Sequence, residues 1–203
     1  MSIRYGLPND NSEVLRRELA AVLEPWFVAA RDKRHVERSF NVLEVGVGTD
    51  PWVSSFDLTK TRFVGINVDE DSVRAARANF PEGRFDLLGR DLLFPYEDEY
   101  FDLVFSVTFV NHGPEPAKRT LLSEMWRVTR PGGRLLFLED FVLMRQPERP
   151  AVYPVSVTQF EDLILDATAG QVTLEHVESL RYPDDELRRG GLISLLRLGV
   201  PKT

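Results

Sequence analysis

Residues able to do chemistry concentrate between positions 44 and 140. They are Glu44, Gly46, Val47 and Gly48 in "VLEVGVGTD", Asn67 and Val68 in "INVDEDS", and Asp91 and Leu92 in "GRDLL". Ser106, Val107, Asn111 and His112 follow in "SVTFVNHGP", and Glu139 and Asp140 in "FLED". A Gly-x-Gly turn after a short apolar run lets backbone approach a ligand, because a side chain there would collide with it. In a dinucleotide turn, G-x-G-x-x-G, the third glycine would stand at position 51, which is Pro51. Asp50 beside it would repel a pyrophosphate seated at a helix N-terminus. The turn therefore argues against NAD and FAD and for a cofactor without phosphate. An Asp–Pro pair also suits a helix start, with Asp50 as N-cap and Pro51 at the first helical position.

In such sites an acid taking both ribose hydroxyls is due about 20 residues after the glycines. The count 67 − 46 = 21 falls on Asn67, not an acid. Asn can accept from one hydroxyl and donate to the other, but it carries no charge. Asp69 lies two residues on and reads as the cap of the next helix. Among the three histidines, His35 and His176 lie in polar and tail segments, whereas His112 directly follows an apolar run. His112 is the candidate general base or substrate hydrogen-bonder, and Asn111 on the same loop a weaker orienting candidate. Glu139 and Asp140 are further candidates near the acceptor.

Composition narrows the remaining classes. No cysteine occurs, which excludes disulfides, thiolate metal sites and a Cys nucleophile. No metal-binding spacing, phosphate loop or nucleophile elbow is present, so no metal is expected. The formal net charge of −7 argues against a broad nucleic-acid surface. No apolar run is long enough to span a bilayer, and "MSIRYGLPNDNSE" lacks the apolar core of a signal peptide. The expectation is a cytoplasmic protein with no membrane partner.

Elements that would position these residues follow from periodicity. Apolar residues at three- and four-residue steps predict a helix over 12–34, kinked at Pro25. Short apolar runs at 41–45, 62–68, about 84–88, 101–107 and 134–139 alternate with helical segments at 51–57, 71–79 and 117–129. That alternation implies a parallel sheet covered on both faces. A helix at about 157–168 and strands at 171–180 and 192–198 follow, the two strands pairing antiparallel across "PDDELRRGG". "RPGG" reads as a tight turn in which Pro131 stops a helix.

Taken in order, "VLEVGVGTD", "FVGINVDEDSV", "GRDLLFPYEDEYFDLVFSVTFVNH" and "RVTRPGGRLLFLE" resemble the class I S-adenosylmethionine-dependent methyltransferases, in particular the small-molecule subgroup. The resemblance implies an α/β fold: a Rossmann-like, seven-stranded, mostly parallel sheet with helices on both faces and an antiparallel C-terminal hairpin. It implies one domain, 1–203, with a helical lid segment at 1–40, a cofactor core at 41–140 and an acceptor-side part at 141–203. The implied cofactor is S-adenosylmethionine, held by Tyr5, Glu44, Gly46, Val47, Gly48, Asn67, Val68, Asp91, Leu92, Ser106 and Val107. Glu44 either braces the loop or favours the methionine ammonium. Asn67 takes the ribose position, so an acid restored there is expected to tighten binding. Asp91 is preferred to Arg90 as acceptor for the adenine amino group, and Ser106 and Val107 offer backbone carbonyl. His112 is the candidate catalytic residue. The implied reaction is methyl transfer to O or N of a small molecule. The alternative is a catalytically silent relative retained as a scaffold or partner-binding protein.

Overall fold

The computed structural model describes residues 16–25, 28, 39–54, 58–142, 153, 155–182 and 185–198. Seven strands form one sheet: β1 (Phe40–Val45), β2 (Thr61–Asn67), β3 (Arg84–Leu87), β4 (Phe101–Val107), β5 (Thr129–Val142), β6 (Val172–Tyr182) and β7 (Asp185–Arg197). Their spatial order is β3-β2-β1-β4-β5-β7-β6. The first five pair in parallel, and β7 runs antiparallel to both β5 and β6. The strand order reverses between β1 and β4, and a ligand crevice opens at the C-terminal strand ends beside such a reversal.

Among the described residues four α-helices cover the sheet: residues 16–25 (α1), Glu70–Asn79 (α2), Glu115–Val128 (α3) and Val157–Ala167 (α4). Period-two alternation along the strands sends alternate side chains to two cores. Leu43, Val45, Val104, Leu135 and Phe137 pack with Leu121, Leu122 and Met125 of α3 and Phe160 and Leu163 of α4. Val42, Phe63, Leu103, Phe105, Leu136 and Leu138 pack with Leu19 and Leu23 of α1 and Val73 and Ala76 of α2. Each such apolar side chain, fully buried, stabilises by about 1.5–3 kcal/mol before entropy is charged against it. A one-residue slip of an inner strand would exchange these two sets between the cores.

Several boundaries differ from the sequence expectation. Instead of a helix over 51–57 there is a single turn at 52–54, and residues 55–57 lie outside the described ones. Asp50 does not return to the backbone as a cap; its carboxylate pairs with Arg16 of α1 at 2.8 Å. Of the expected helix 12–34, only 16–25 and 28 are described, all helical. Helix α3 ends at Val128, ahead of Pro131, and "RPGG" lies inside β5, where the β4–β5 register shifts between Phe101 and Leu103. Gly132, at φ 75°, supplies the left-handed residue of that irregularity. Strand β7 already begins at Asp185, so "ELRRGG" is strand and not connection. A side chain at Gly191 would collide with the Phe141 ring, its Cβ standing 2.5 Å from Cε2, so only glycine lets β7 continue past β5 there.

Candidate active site

At the end of β1 the chain turns through Gly46, at φ 86°, a conformation that costs a side-chain-bearing residue about 1–2 kcal/mol. The amides of Gly46 and Val47 both donate to the Ile66 carbonyl, at 2.8 and 3.0 Å, fastening the turn to β2. A Cβ on Gly48 would meet nothing within 4 Å, so the backbone there faces open space. Gly46 is covered: its absent Cβ would stand 2.1 Å from Cγ of Phe109. The Phe109 ring therefore rests directly on the glycine turn.

Beneath the turn lies Glu44, 1% exposed. Its Oε2 accepts from the Trp52 amide at 3.1 Å, and its Oε1 has no partner. Burial pushes its carboxyl up to about 8, against the lowering effects of that amide and of the Arg16 charge. Arg16 in turn lies over the Trp52 ring, 4.8 Å from its centroid. A buried acceptor without a partner costs about 1–3 kcal/mol, and a ligand cation would satisfy it.

Asn67 closes the other side of the turn. Its Nδ2 donates to the Val47 carbonyl at 2.7 Å and its Oδ1 accepts from the Asp69 amide at 3.0 Å. The amide thus bridges the glycine turn to the start of α2, which Asp69 caps by accepting from the Ser72 amide at 2.9 Å. One N–H and one lone pair of Asn67 remain over for a ligand. Val68 and Asp91 are exposed, Leu92 half-buried. Asp91 Oδ1 accepts from the Leu93 amide at 3.3 Å, and Leu92 has φ 61°. Nothing in the sequence pattern anticipates that left-handed leucine.

After β4 the chain makes a short 3-10 turn, Val110–His112. Glu139, three residues before the end of β5 and wholly buried, holds it. Its Oε1 accepts from Ser106 Oγ at 2.9 Å and the Val110 amide at 3.1 Å, and its Oε2 from the Asn111 amide at 3.3 Å. Burial raises its carboxyl to about 7, these bonds opposing the rise. Ser106, whose hydroxyl is so engaged, and Val107 are both buried. Asn111 donates through Nδ2 to the Asp140 carbonyl, which leaves its buried Oδ1 without a partner. His112 is described in its backbone only, and Tyr5 lies outside the described residues. Glu44, the glycine turn, Asn67, Val68, Ser106 and Val107 thus meet at one end of the sheet, around the β1–β4 reversal. Asp91 and Leu92 stand beyond the end of β3.

Two residues that shape this site were not singled out by sequence reasoning, Phe109 and Lys118. Phe109 offered no signal, because an aromatic after an apolar strand reads as core. Lys118 did offer one: it stands three, four and seven residues before Leu121, Leu122 and Met125, on the buried stripe of α3.

The two buried acids make a pH-dependent term in stability. Each has a folded-state value above its ordinary one, so its contribution is complete below about 4.5 and is lost as pH rises through about 7 for Glu139 and about 8 for Glu44. Wild type is therefore expected to lose stability relative to Glu44→Gln between pH 5 and pH 8.5, as measured by urea midpoints. A difference between the two proteins that does not change with pH would show Glu44 to be charged throughout.

Comparison with known proteins agrees with this geometry. The sequence profile of the family described as "Methyltransferase domain" matches residues 43–137. A phosphatidylethanolamine N-methyltransferase of Cereibacter sphaeroides is 29% identical over 182 residues, covering 82% of this chain and 84% of that protein. An uncharacterized methyltransferase of Mycobacterium tuberculosis is 30% identical over 121 residues, 59% of this chain and 46% of its own. The chain thus spans about half the length of such mycobacterial relatives. The crystal structure of the PH0226 protein from Pyrococcus horikoshii shares the fold with a TM-score of 0.65 at 18% identity, over 89% of this chain and 90% of that one. Residues 43–137 thus match a methyltransferase domain, and these similarities support a class I S-adenosylmethionine-dependent methyltransferase.

The donor set fits that cofactor. S-adenosylmethionine carries an ammonium, a carboxylate and a sulfonium but no phosphate. An orphaned buried carboxylate oxygen under an open glycine turn suits a ligand cation and no phosphate. Among the described residues no helix is long and apolar enough to cross a membrane, and no group of three or more acidic or histidine side chains is placed to hold a metal.

Proposed function

We propose that the protein transfers a methyl group from S-adenosylmethionine to a nitrogen or oxygen of a small-molecule acceptor. The observation that carries this reading is the unpartnered Glu44 Oε1 beneath the glycine turn. The bound cofactor supplies an electrophilic methyl on a sulfonium. Glu44 holds the methionine ammonium, and the backbone of Gly46, Val47 and Gly48 lies along the methionine end, walled by Phe109. The remaining N–H and lone pair of Asn67 serve the ribose hydroxyls. Asp91 accepts from the adenine amino group, with Val68 and Leu92 beside the ring, and carbonyl groups of Ser106 and Val107 add acceptors for the ammonium. Residues 141–203 carry the acceptor side.

Orientation is the protein's main contribution, an advantage that reaches roughly 7–11 kcal/mol when reacting atoms are held in line. His112, on the turn held by Glu139, takes the proton of a hydroxyl acceptor; a neutral amine needs little such help. Nitrogen is the favoured atom, by analogy with the N-methylating relative from Cereibacter. The test is calorimetric titration with S-adenosylmethionine and S-adenosylhomocysteine. Micromolar dissociation constants are expected for both. No heat up to millimolar ligand would favour the second reading, a silent scaffold, to which the engaged amide of Asn67 and the covered Gly46 lend support.

A further inference from the structure

We propose that Lys118 is a positioning residue: it fixes the turn after β4 and couples it to the acceptor-side segment at Tyr153, opposite Glu139. Lys118 sits on α3 with no exposed surface. Its ammonium donates to the Asn111 carbonyl at 3.2 Å, to the Gly113 carbonyl and to the Tyr153 carbonyl at 2.6 Å. Those three acceptors account for all three of its N–H bonds. Glu139 takes the amides of Val110 and Asn111 from the other side. The turn that carries Asn111 and His112 is therefore strung between two buried opposite charges, the carboxylate on its N–H groups and the ammonium on its carbonyls. Among the described residues no carboxylate touches the ammonium, and its charge is met by those three carbonyls.

The apolar stripe around Lys118 makes the inference testable. Leu121, Leu122 and Met125 share its face, so a methionine would fit there in shape, while the three carbonyls lose their donor. Lys118→Met is thus expected to lower the urea midpoint, with the loss of protection confined to the turn and to Tyr153. A merely structural lysine would instead lose protection across the whole sheet. Burial lowers the Lys118 ammonium to about 8, opposed by the charges of Glu139 on β5 and Glu115 on its own helix. A neutral amine keeps two N–H bonds and cannot serve three carbonyls. Wild type should therefore loosen at the turn above pH 8 more than Lys118→Arg, which stays charged and shares with it only the titration of Glu44 and Glu139.

The experiment is amide hydrogen exchange by mass spectrometry on the whole chain at pH 7 and pH 9, corrected for intrinsic rates, with S-adenosylhomocysteine affinity measured alongside. In Lys118→Met the amides of 109–113 and of 153, 155 and 156 should exchange about tenfold faster, one charge-assisted hydrogen bond's worth, with β1 and β2 unchanged. The affinity for S-adenosylhomocysteine should fall together with that protection. Protection at the turn within twofold of wild type, or a uniform loss across the sheet, would overturn the proposal, as would a Lys118→Arg variant that loosens at pH 9 as wild type does. The idea of an acceptor side rests on the function proposed above. Should wild type bind no S-adenosylhomocysteine, that function fails while the exchange data still decide the role of Lys118.

Discussion

Gly46→Val is expected to abolish S-adenosylhomocysteine binding and to weaken the fold at the same time. Position 46 has φ 86°, and a β-branched residue there is strained before any contact is considered. Its Cβ would also stand 2.1 Å from Cγ of Phe109, so the aromatic ring must leave or the turn must open. Strain and overpacking together should cost roughly 2–5 kcal/mol in urea unfolding. Affinity should fall by more than about a hundredfold, or ~2.7 kcal/mol, because the backbone that faces the ligand is displaced. Combining it with Phe109→Ala separates the two effects. The double variant should recover part of the stability, since the collision is gone, but not the binding, since the valine remains. A folded Gly46→Val protein that binds within threefold of wild type would place the cofactor elsewhere.

The fold was readable where side-chain periodicity is dictated by burial. Near-continuous apolar runs such as "FDLVFSV" are buried on both faces, and Phe101–Val107 is strand from end to end. Boundaries set by single contacts were not readable. The segment after Pro51 has a helix-start signature, yet Asp50 is drawn to Arg16, a residue 34 positions away whose partner no local pattern encodes. The extension of β7 through "ELRRGG" depends on Phe141 needing a bare glycine at 191, again a contact across the sheet. At the site, residue types marked the positions, because glycine turns and buried acids have few other uses. What they could not mark was how each side chain is already engaged. Glu44 keeps a free oxygen, whereas Ser106, Asn67 and Glu139 are tied to other parts of the protein.

Asn67 shows most sharply how that engagement changes an expected result. Position alone suggests that Asn67→Asp restores a ribose-binding acid and tightens the cofactor. The structure reverses the expectation. Nδ2 donates to the Val47 carbonyl at 2.7 Å, and a carboxylate cannot donate. Asn67→Asp would set a charged oxygen against that carbonyl at a buried position, with Asp69, Glu70 and Asp71 close along the chain. An unmet buried acceptor plus a poorly solvated charge should cost roughly 2–4 kcal/mol at pH 8. The brace between the glycine turn and α2 is lost as well, so S-adenosylhomocysteine should bind about tenfold more weakly, the effect of roughly one hydrogen bond to a charged group. The sign with pH is fixed by the same chemistry. A carboxyl whose folded-state pKa is raised regains a proton as pH falls, and the protonated form can donate to Val47. The defect in Asn67→Asp should therefore shrink from pH 8 to pH 5, as read by urea midpoints of variant and wild type at both values. Tighter binding at unchanged stability would show that the amide bridge is dispensable and that position 67 meets the ribose as a free side chain.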